Sequence, residues 1–177
     1  MESKIILYIA QSIDGYIAKP DGSLDWLEQH PNPDKLDYGY YSFYNRISTT
    51  IMGNSTYQEV LGFGVDWPYP DCKNYVVSKS PQLKIKTPNT YLLNDLSHAT
   101  IKKIKAESKK DVWLIGGGKL IKSFLDLTAI DEMVITTIPV LLGDGVPLFE
   151  RGFKPQNFNL KHTQSFSNGV TNNHYEK

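Results

Sequence analysis

Cysteine is almost missing from this chain of 177 residues: Cys72 stands alone, so no intrachain disulfide can form, which fits a reducing compartment. Cys72 itself reads as a small, half-buried side chain rather than a nucleophile. Neither sign of charge prevails, because Lys plus Arg and Asp plus Glu each number 19. A general nucleic-acid binder shows a basic excess or a clustered basic face, so nucleic acid is not an expected partner. Neutrality also permits self-association, and a homodimer is an allowed state. Long apolar runs are lacking too. No stretch reaches the roughly 20 apolar residues needed to cross a bilayer, so no membrane partner is expected. The opening MESKIILYIAQSIDG reads as a first strand rather than a signal peptide, which makes the cytoplasm the expected location. His30, His98, His162 and His174 lack ligand spacing, and Asp14, Asp21, Asp25 and Glu28 form no metal loop, so no metal is expected. There is no GxSxG elbow for a hydrolase. Repeats, low-complexity tracts and linkers are also missing, which leaves one domain over residues 1–177.

What is present is globular: 40% hydrophobic and 21% charged residues. Lys4–Ala10 reads as a strand covered on both faces. Ser12–Leu27 is a loop region with two Asp-Gly turns. Pro33 can open a helix capped by Asn32, and the aromatic stretch Asp34–Arg46 suits one helical face. Strands are expected at Thr49–Met52, Asn74–Val77, Thr90–Leu92, Val112–Ile115 and Glu132–Ile138. Helices are expected at Ser55–Leu61, from Asp95 or Ser97 to about Lys110, and at Lys119–Leu127. Gly62–Pro70 reads as an exposed loop, Leu142–Leu148 as a turn, and Asn157–Gln164 and His174–Glu176 as edge strands. Strands alternate with helices, so the expected core is a largely parallel sheet covered on both sides, with the tail returning antiparallel.

The triple glycine Gly116–Gly118 falls where a buried strand turns into a helix. A helix N-terminus offers free N–H groups and the positive end of the dipole, and glycines let an anion approach the backbone. The segment VWLIGGGKL fits either a phosphate cradle or a tight structural turn. It is not a P-loop, since no GKS or GKT ending follows, and the GxGxxG fingerprint is absent.

Five segments in order carry a resemblance: SIDGYIAKPDGSLDWL (Ser12–Leu27), IMGNSTYQEV (Ile51–Val60), VVSKS (Val76–Ser80), VWLIGGGKL (Val112–Leu120) and IPVLLGDGVPLF (Ile138–Phe149). The chain resembles the dihydrofolate reductase-like superfamily, in particular the branch holding the reductase domain of bacterial riboflavin biosynthesis. The resemblance implies a three-layer αβα sandwich with a mainly parallel mixed sheet. It also implies NADPH as hydride donor and a pteridine- or aminopyrimidine-like heterocycle as acceptor. On the cofactor side it points to Ala10 and Ile17 at the nicotinamide. Gly53, Asn54, Ser55, Thr56, Gly116, Gly117, Gly118 and Lys119 would hold phosphate, and Ser78, Lys79 and Ser80 would lie near the 2′-phosphate. Asn54 stands where the family often has arginine. It puts Asp14 in the loop that covers the nicotinamide and Thr136 and Asp37 on the substrate side, and makes these three the candidate catalytic residues. Each has a plainer reading: Asp14 as a turn former, Ser55 and Thr56 as helix caps, Lys79 as a surface lysine, Thr136 as a strand former, Asp37 as a solvated acid.

The substrate pattern loosens beyond that. No WxLPxD-like segment of true dihydrofolate reductase is present. The riboflavin reductase works on a phosphoribosylated pyrimidine, yet Gly62–Lys73 offers no base before Lys73. Three expectations follow. The first is an NADPH-dependent reductase, akin to 5-amino-6-(5-phosphoribosylamino)uracil reductase or to dihydrofolate reductase. The second is a non-catalytic, NADPH-binding regulatory domain. The third is a purely structural module.

Overall fold

A computed structural model describes residues 2–177. Its centre is strand β1 (Ile5–Ser12), whose first three side chains, Ile5, Ile6 and Leu7, are fully buried. Successive side chains on a strand point to opposite faces, so a run buried on both sides demands cover on both sides. The chain supplies it. Ile5 and Leu7 join one core with Val112, Leu114, Ile121 and Phe124, while Ile6 joins another with Phe43, Met52, Tyr57 and Trp113. Fully burying a side chain of this size contributes about 1.5–3 kcal/mol. These two cores are what make three layers.

In chain order the elements are β1, β2 (Tyr16–Ala18), α1 (Asp25–Glu28), α2 (Tyr40–Tyr44), β3 (Ile47–Gly53), α3 (Asn54–Gly62), β4 (Lys73–Val77), β5 (Thr90–Leu93), α4 (His98–Glu107), β6 (Asp111–Gly116), α5 (Gly118–Asp126), β7 (Glu132–Ile138), β8 (Val146–Pro147), β9 (Asn159–Ser165) and β10 (Thr171–Glu176). The main sheet runs β5-β4-β3-β6-β1-β7-β10-β9. It is parallel from β5 to β7, and β10 pairs antiparallel with both neighbours. Helices α4 and α5 bury Ile101, Ile104, Leu120, Ile121 and Phe124 on one face, and α2 and α3 bury Phe43, Tyr57 and Val60 on the other. The expected α/β three-layer sandwich with a mainly parallel mixed sheet is the fold observed.

Several local expectations need correction. The aromatic stretch is helical only over Tyr40–Tyr44, because Lys35, Tyr38 and Gly39 all take positive φ angles that break a longer helix. Asn32 caps no helix; its side chain accepts the Leu36 amide and donates to the Leu36 carbonyl, closing a loop. Ser97, not Asp95, caps α4 by accepting the Thr100 amide, and that helix stops at Glu107. Only β9 of the tail is an edge strand, since β10 lies between β7 and β9. The loop after α3 is half buried: Trp67 packs edge-on against Tyr57 and Tyr69, while Phe63 and Val65 stay exposed. Short pairing also appears inside two expected loops, where β2 meets β8.

A buried charge network closes the amino-terminal end of the strands. Glu132, at the start of β7, is fully buried and bonded by Arg46 and Lys4, while Arg46 also reaches Asp111. Burial pushes the Glu132 carboxyl up, but the Arg46 guanidinium and the Lys4 ammonium outweigh it and hold the group below its ordinary value.

Candidate cofactor and substrate cleft

Adjacent strands β3 and β6 send their chains in opposite directions: β3 leads through α3 to β4, and β6 leads through α5 to β7 beyond β1. A crevice opens at the carboxyl ends of such strands, at the point where the order reverses. Both helices begin there, on glycines. Gly53 and Gly117 are the N-caps of α3 and α5, both extended, and neither helix has a side-chain cap. First-turn amides of two helices are therefore left facing one space, with both dipoles aimed at it. That space is a cavity of about 530 Å³. Of the expected cofactor residues, Gly53, Asn54, Ser55, Thr56, Ser78 and Lys79 line it, as do Gly117, Gly118 and Lys119. Ser80 does not; its backbone amide donates to Ser78 Oγ at 3.1 Å.

The three glycines answer to three different causes. Gly116 has φ +125°, is buried behind the cavity rather than lining it, and a Cβ there would reach Ile9 Cδ1 at 3.4 Å. Gly117 lines the cavity, its peptide bond with Gly116 is cis, and a Cβ would make ordinary contact with Thr56 Oγ1 at 3.6 Å. Gly118 is the tightest, since its Cβ would stand 2.7 Å from the Pro147 carbonyl oxygen. Gly116, expected among the phosphate-holding residues, thus stands behind the cavity and serves backbone conformation, while Gly118 serves packing against β8.

A second cavity, of about 490 Å³, continues from the first through Ser55, Thr56, Gly117 and Val146. Ala10 and Ile17 line it, as expected, together with Tyr8, Phe63, Tyr69 and Trp113. Its aromatic wall is held rigidly. Trp113 Nε1 donates to the Tyr8 carbonyl at 3.0 Å, and the Tyr8 ring stacks on Phe43 with centroids 4.2 Å apart. A third cavity, of about 410 Å³, shares Tyr8, Ala10 and Leu27 with the second and is lined by Asp37 and Thr136. The three together form one cleft along the carboxyl edge of the sheet.

At the third cavity the chain brings a short polar network together. Tyr8 Oη donates to the Tyr38 carbonyl at 3.2 Å, and Asn172 Nδ2 donates to the same oxygen. Asn172 pairs in register with Thr136, which is buried in β7 with its neighbour Thr137 on the other face, accepting from Gln11. Burial, then the nearby negative charge of Asp37, pushes the Tyr8 phenol up to about 12. Asp37 is exposed, and its carboxylate accepts the amides of Tyr41 at 3.1 Å and Gly39 at 3.0 Å, which lowers its pKa.

Asp14 lines none of the three cavities. Its carboxylate accepts the Ser12 hydroxyl and the amides of Gly143 at 2.7 Å and Leu142 at 3.2 Å. The Ser12 bond is the main cause of its lowered pKa. These bonds fasten a strap over the cleft, in which β8 pairs antiparallel with β2 and the Leu148 amide donates to the Gly15 carbonyl at 2.8 Å. Gly145 takes φ +157° in that strap, and a Cβ there would overlap the Ala18 carbonyl oxygen. Asp14, expected among the catalytic residues, is placed at this strap rather than in the walls of the cleft.

Among the described residues, Glu132, His174 and Glu176 form the one group with metal-ligand proximity. Their carboxylates already hold Lys4 and Arg46, so the group belongs to the charge network. None of the described helices is long and apolar enough to cross a membrane.

Sequence reading missed Glu59, Tyr8 and Trp113 as cleft residues. Glu59 was findable, because it stands one turn beyond Ser55 on the same face of α3. Tyr8 and Trp113 carry only strand signals.

Residues 71–172 match the model of the RibD C-terminal domain. The chain is 39% identical over 170 residues to the uncharacterized protein YwjB of Bacillus subtilis (strain 168), covering 96% of both. A crystal structure of a provisionally named riboflavin biosynthesis protein from Shewanella sp. PV-4 is 35% identical, with a TM-score of 0.88 over 99% of this chain and 98% of that one. A Thermotoga maritima diaminohydroxyphosphoribosylaminopyrimidine deaminase/5-amino-6-(5-phosphoribosylamino)uracil reductase shares the fold, with a TM-score of 0.72 at 17% identity. This chain spans 56% of that protein's length.

Proposed function

The chain belongs to the RibD C-terminal domain family, a branch of the dihydrofolate reductase-like oxidoreductases, and on that premise we propose that it is an NADPH-dependent reductase of a small heterocycle. One observation carries the reading: a cavity with two uncapped helix N-termini and two lysines runs without a break into an apolar, aromatic one. The first suits a dinucleotide's phosphates, and the second suits two planar rings face to face.

The residues present fit NADPH. The amides at Gly117–Lys119 and Asn54–Thr56, with the Ser55 and Thr56 hydroxyls, would hold the pyrophosphate. Lys79 and Ser78 would hold the 2′-phosphate, with Ser80 kept only as the residue whose amide orients Ser78. The backbone of Ala10 and Ile17 would orient the nicotinamide. When bound, the cofactor supplies the hydride. The protein's share is positioning and exclusion of water. Asp14 holds the strap closed over the junction of the two cavities. Thr136 and Asp37 stand at the far end, where a hydroxyl and a carboxylate can orient the acceptor or a water that protonates it. Titration with NADPH, followed by tryptophan fluorescence and by calorimetry, tests the cofactor half. Absence of saturable binding below about 1 mM overturns it.

A second reading keeps cofactor binding without turnover. It is favoured by the engagement of both Asp14 and Asp37 with backbone amides, bonds that each carboxylate would weaken on taking up a proton. Steady NADPH oxidation with a dihydropterin or an aminopyrimidine, diminished in Asp37→Asn, excludes it.

A further inference from the structure

Charge is sorted along the cleft. Of the chain's 19 lysines and arginines, Lys79 and Lys119 line it, and both stand in the limb with the helix N-termini, where Glu150 is the one acid against two cations. The other two cavities carry Glu59, Glu28 and Asp37, with His30 as the nearest approach to a base. Their remaining polar groups are hydroxyls and amides, and their broad surfaces are the rings of Tyr8, Tyr40, Tyr69 and Trp113. Lys19, next to Ala18 of the second cavity, is held away from it by its pair with Asp25 at 2.9 Å.

A bound phosphate needs donors with positive charge, or an open set of backbone amides, to replace its lost hydration. The walls of the acceptor limb hold no lysine or arginine, and the helix-terminal residues it shares with the other limb, Ser55, Thr56 and Gly117, stand at the junction, where the bound dinucleotide would already occupy them. Carboxylates at the acceptor side repel an anion and favour a neutral or positively charged molecule. Aromatic walls add stacking for a planar ring and attraction for a cation.

Resting on the reductase reading above, we infer that the acceptor is an unphosphorylated aromatic heterocycle, neutral or cationic. It then differs in chemical class from the phosphoribosylated pyrimidine named for the Thermotoga maritima protein of the same fold. The chain keeps the anion-binding half of the cleft and presents acids in the acceptor half. A reaction that removes the phosphate, or one that never adds it, must supply its substrate.

The test uses 5-amino-6-(5-phosphoribosylamino)uracil and the same compound after phosphatase treatment, a pair differing in the phosphate alone. Each is titrated into the whole chain, with and without saturating NADP⁺, and followed by tryptophan fluorescence. The dephosphorylated member is expected to bind at least tenfold tighter. In Glu59→Lys, an exposed helix position, the gap is expected to close as the phosphorylated member gains affinity. Tighter binding of the phosphorylated member by the unaltered chain, equal affinities, or no saturation by either would each overturn the inference. Binding of NADP⁺ is measured first and separately. Its absence defeats the cofactor reading, while the titrations without it still decide the acceptor's charge class.

Discussion

Asp14 Oδ2 accepts the amide of Gly143 at 2.7 Å, joining two turns that lie 129 residues apart in the chain. The bond ties the turn after β1 to the turn before β8, and Val146 of β8 lines both the cofactor and acceptor cavities. Asp14→Asn keeps the shape but trades a charge-assisted acceptor for a weaker one. The half-saturating NADPH concentration should rise roughly tenfold, with kcat falling by less. A carboxylate that delivered the proton would instead lower kcat and alter its pH profile. Steady-state kinetics across pH separates the two.

Lys79 and Lys119 are the cations of the cofactor limb. A charge-assisted bond to phosphate contributes about 1.5–3 kcal/mol, so Lys79→Ala or Lys119→Ala should weaken NADPH about tenfold or more. If Lys79 reads the 2′-phosphate, its loss leaves NADH affinity unchanged, whereas loss of Lys119 weakens both dinucleotides. Parallel calorimetric titrations with the two cofactors make the comparison.

Gly118→Ala places a methyl group 2.7 Å from the Pro147 carbonyl oxygen, a backbone atom that can retreat only by moving β8. Overpacking of this kind costs about 1–3 kcal/mol. Gly145→Ala adds a positive φ to a worse overlap and should lose more. Urea midpoints measured for both variants give the order.

Acid should act at the other end of the strands. The Glu132 carboxyl sits below its ordinary value of 4.5, held there by Arg46 and Lys4 against the cost of burial. A depressed carboxylate stabilises the fold fully above the unfolded value and stops doing so as pH falls through the folded one. Stability is therefore expected to drop as pH goes below 4.5. Glu132→Gln should lose about 1 kcal/mol at neutral pH, because Arg46 and Lys4 are partly exposed and keep Asp111 and Glu176 as partners. Its remaining stability should depend less on pH in that window, as denaturant titrations from pH 3 to 7 will read.

Much of this was legible in the sequence. The buried strand KIILYIA, the glycines after VWLI and the Ser-Thr pair opening α3 each combine a strong periodic signal with local chemistry. Those elements place the cofactor limb. Other features escaped for physical reasons. Lys35 and Tyr38 adopt positive φ angles that no residue type announces, so the helix expected across Asp34–Arg46 shrinks to Tyr40–Tyr44. Strand β8 holds two residues and exists through pairing with β2 far away in the chain, a contact that local pattern does not encode. Asp14 stood out by its motif, but what its carboxylate touches is decided by that same distant turn and was not legible locally.

The strap has a kinetic meaning too. A ladder of two residues against three, with an irregular register, is the kind of local structure that opens at a small fraction of the global unfolding free energy. β1, paired on both sides and with Ile5, Ile6 and Leu7 fully buried, cannot open without both cores. On the reductase reading proposed above, a dinucleotide bound beneath Val146 would leave by this breathing motion, and turnover would then be paced by it rather than by the transfer of hydride.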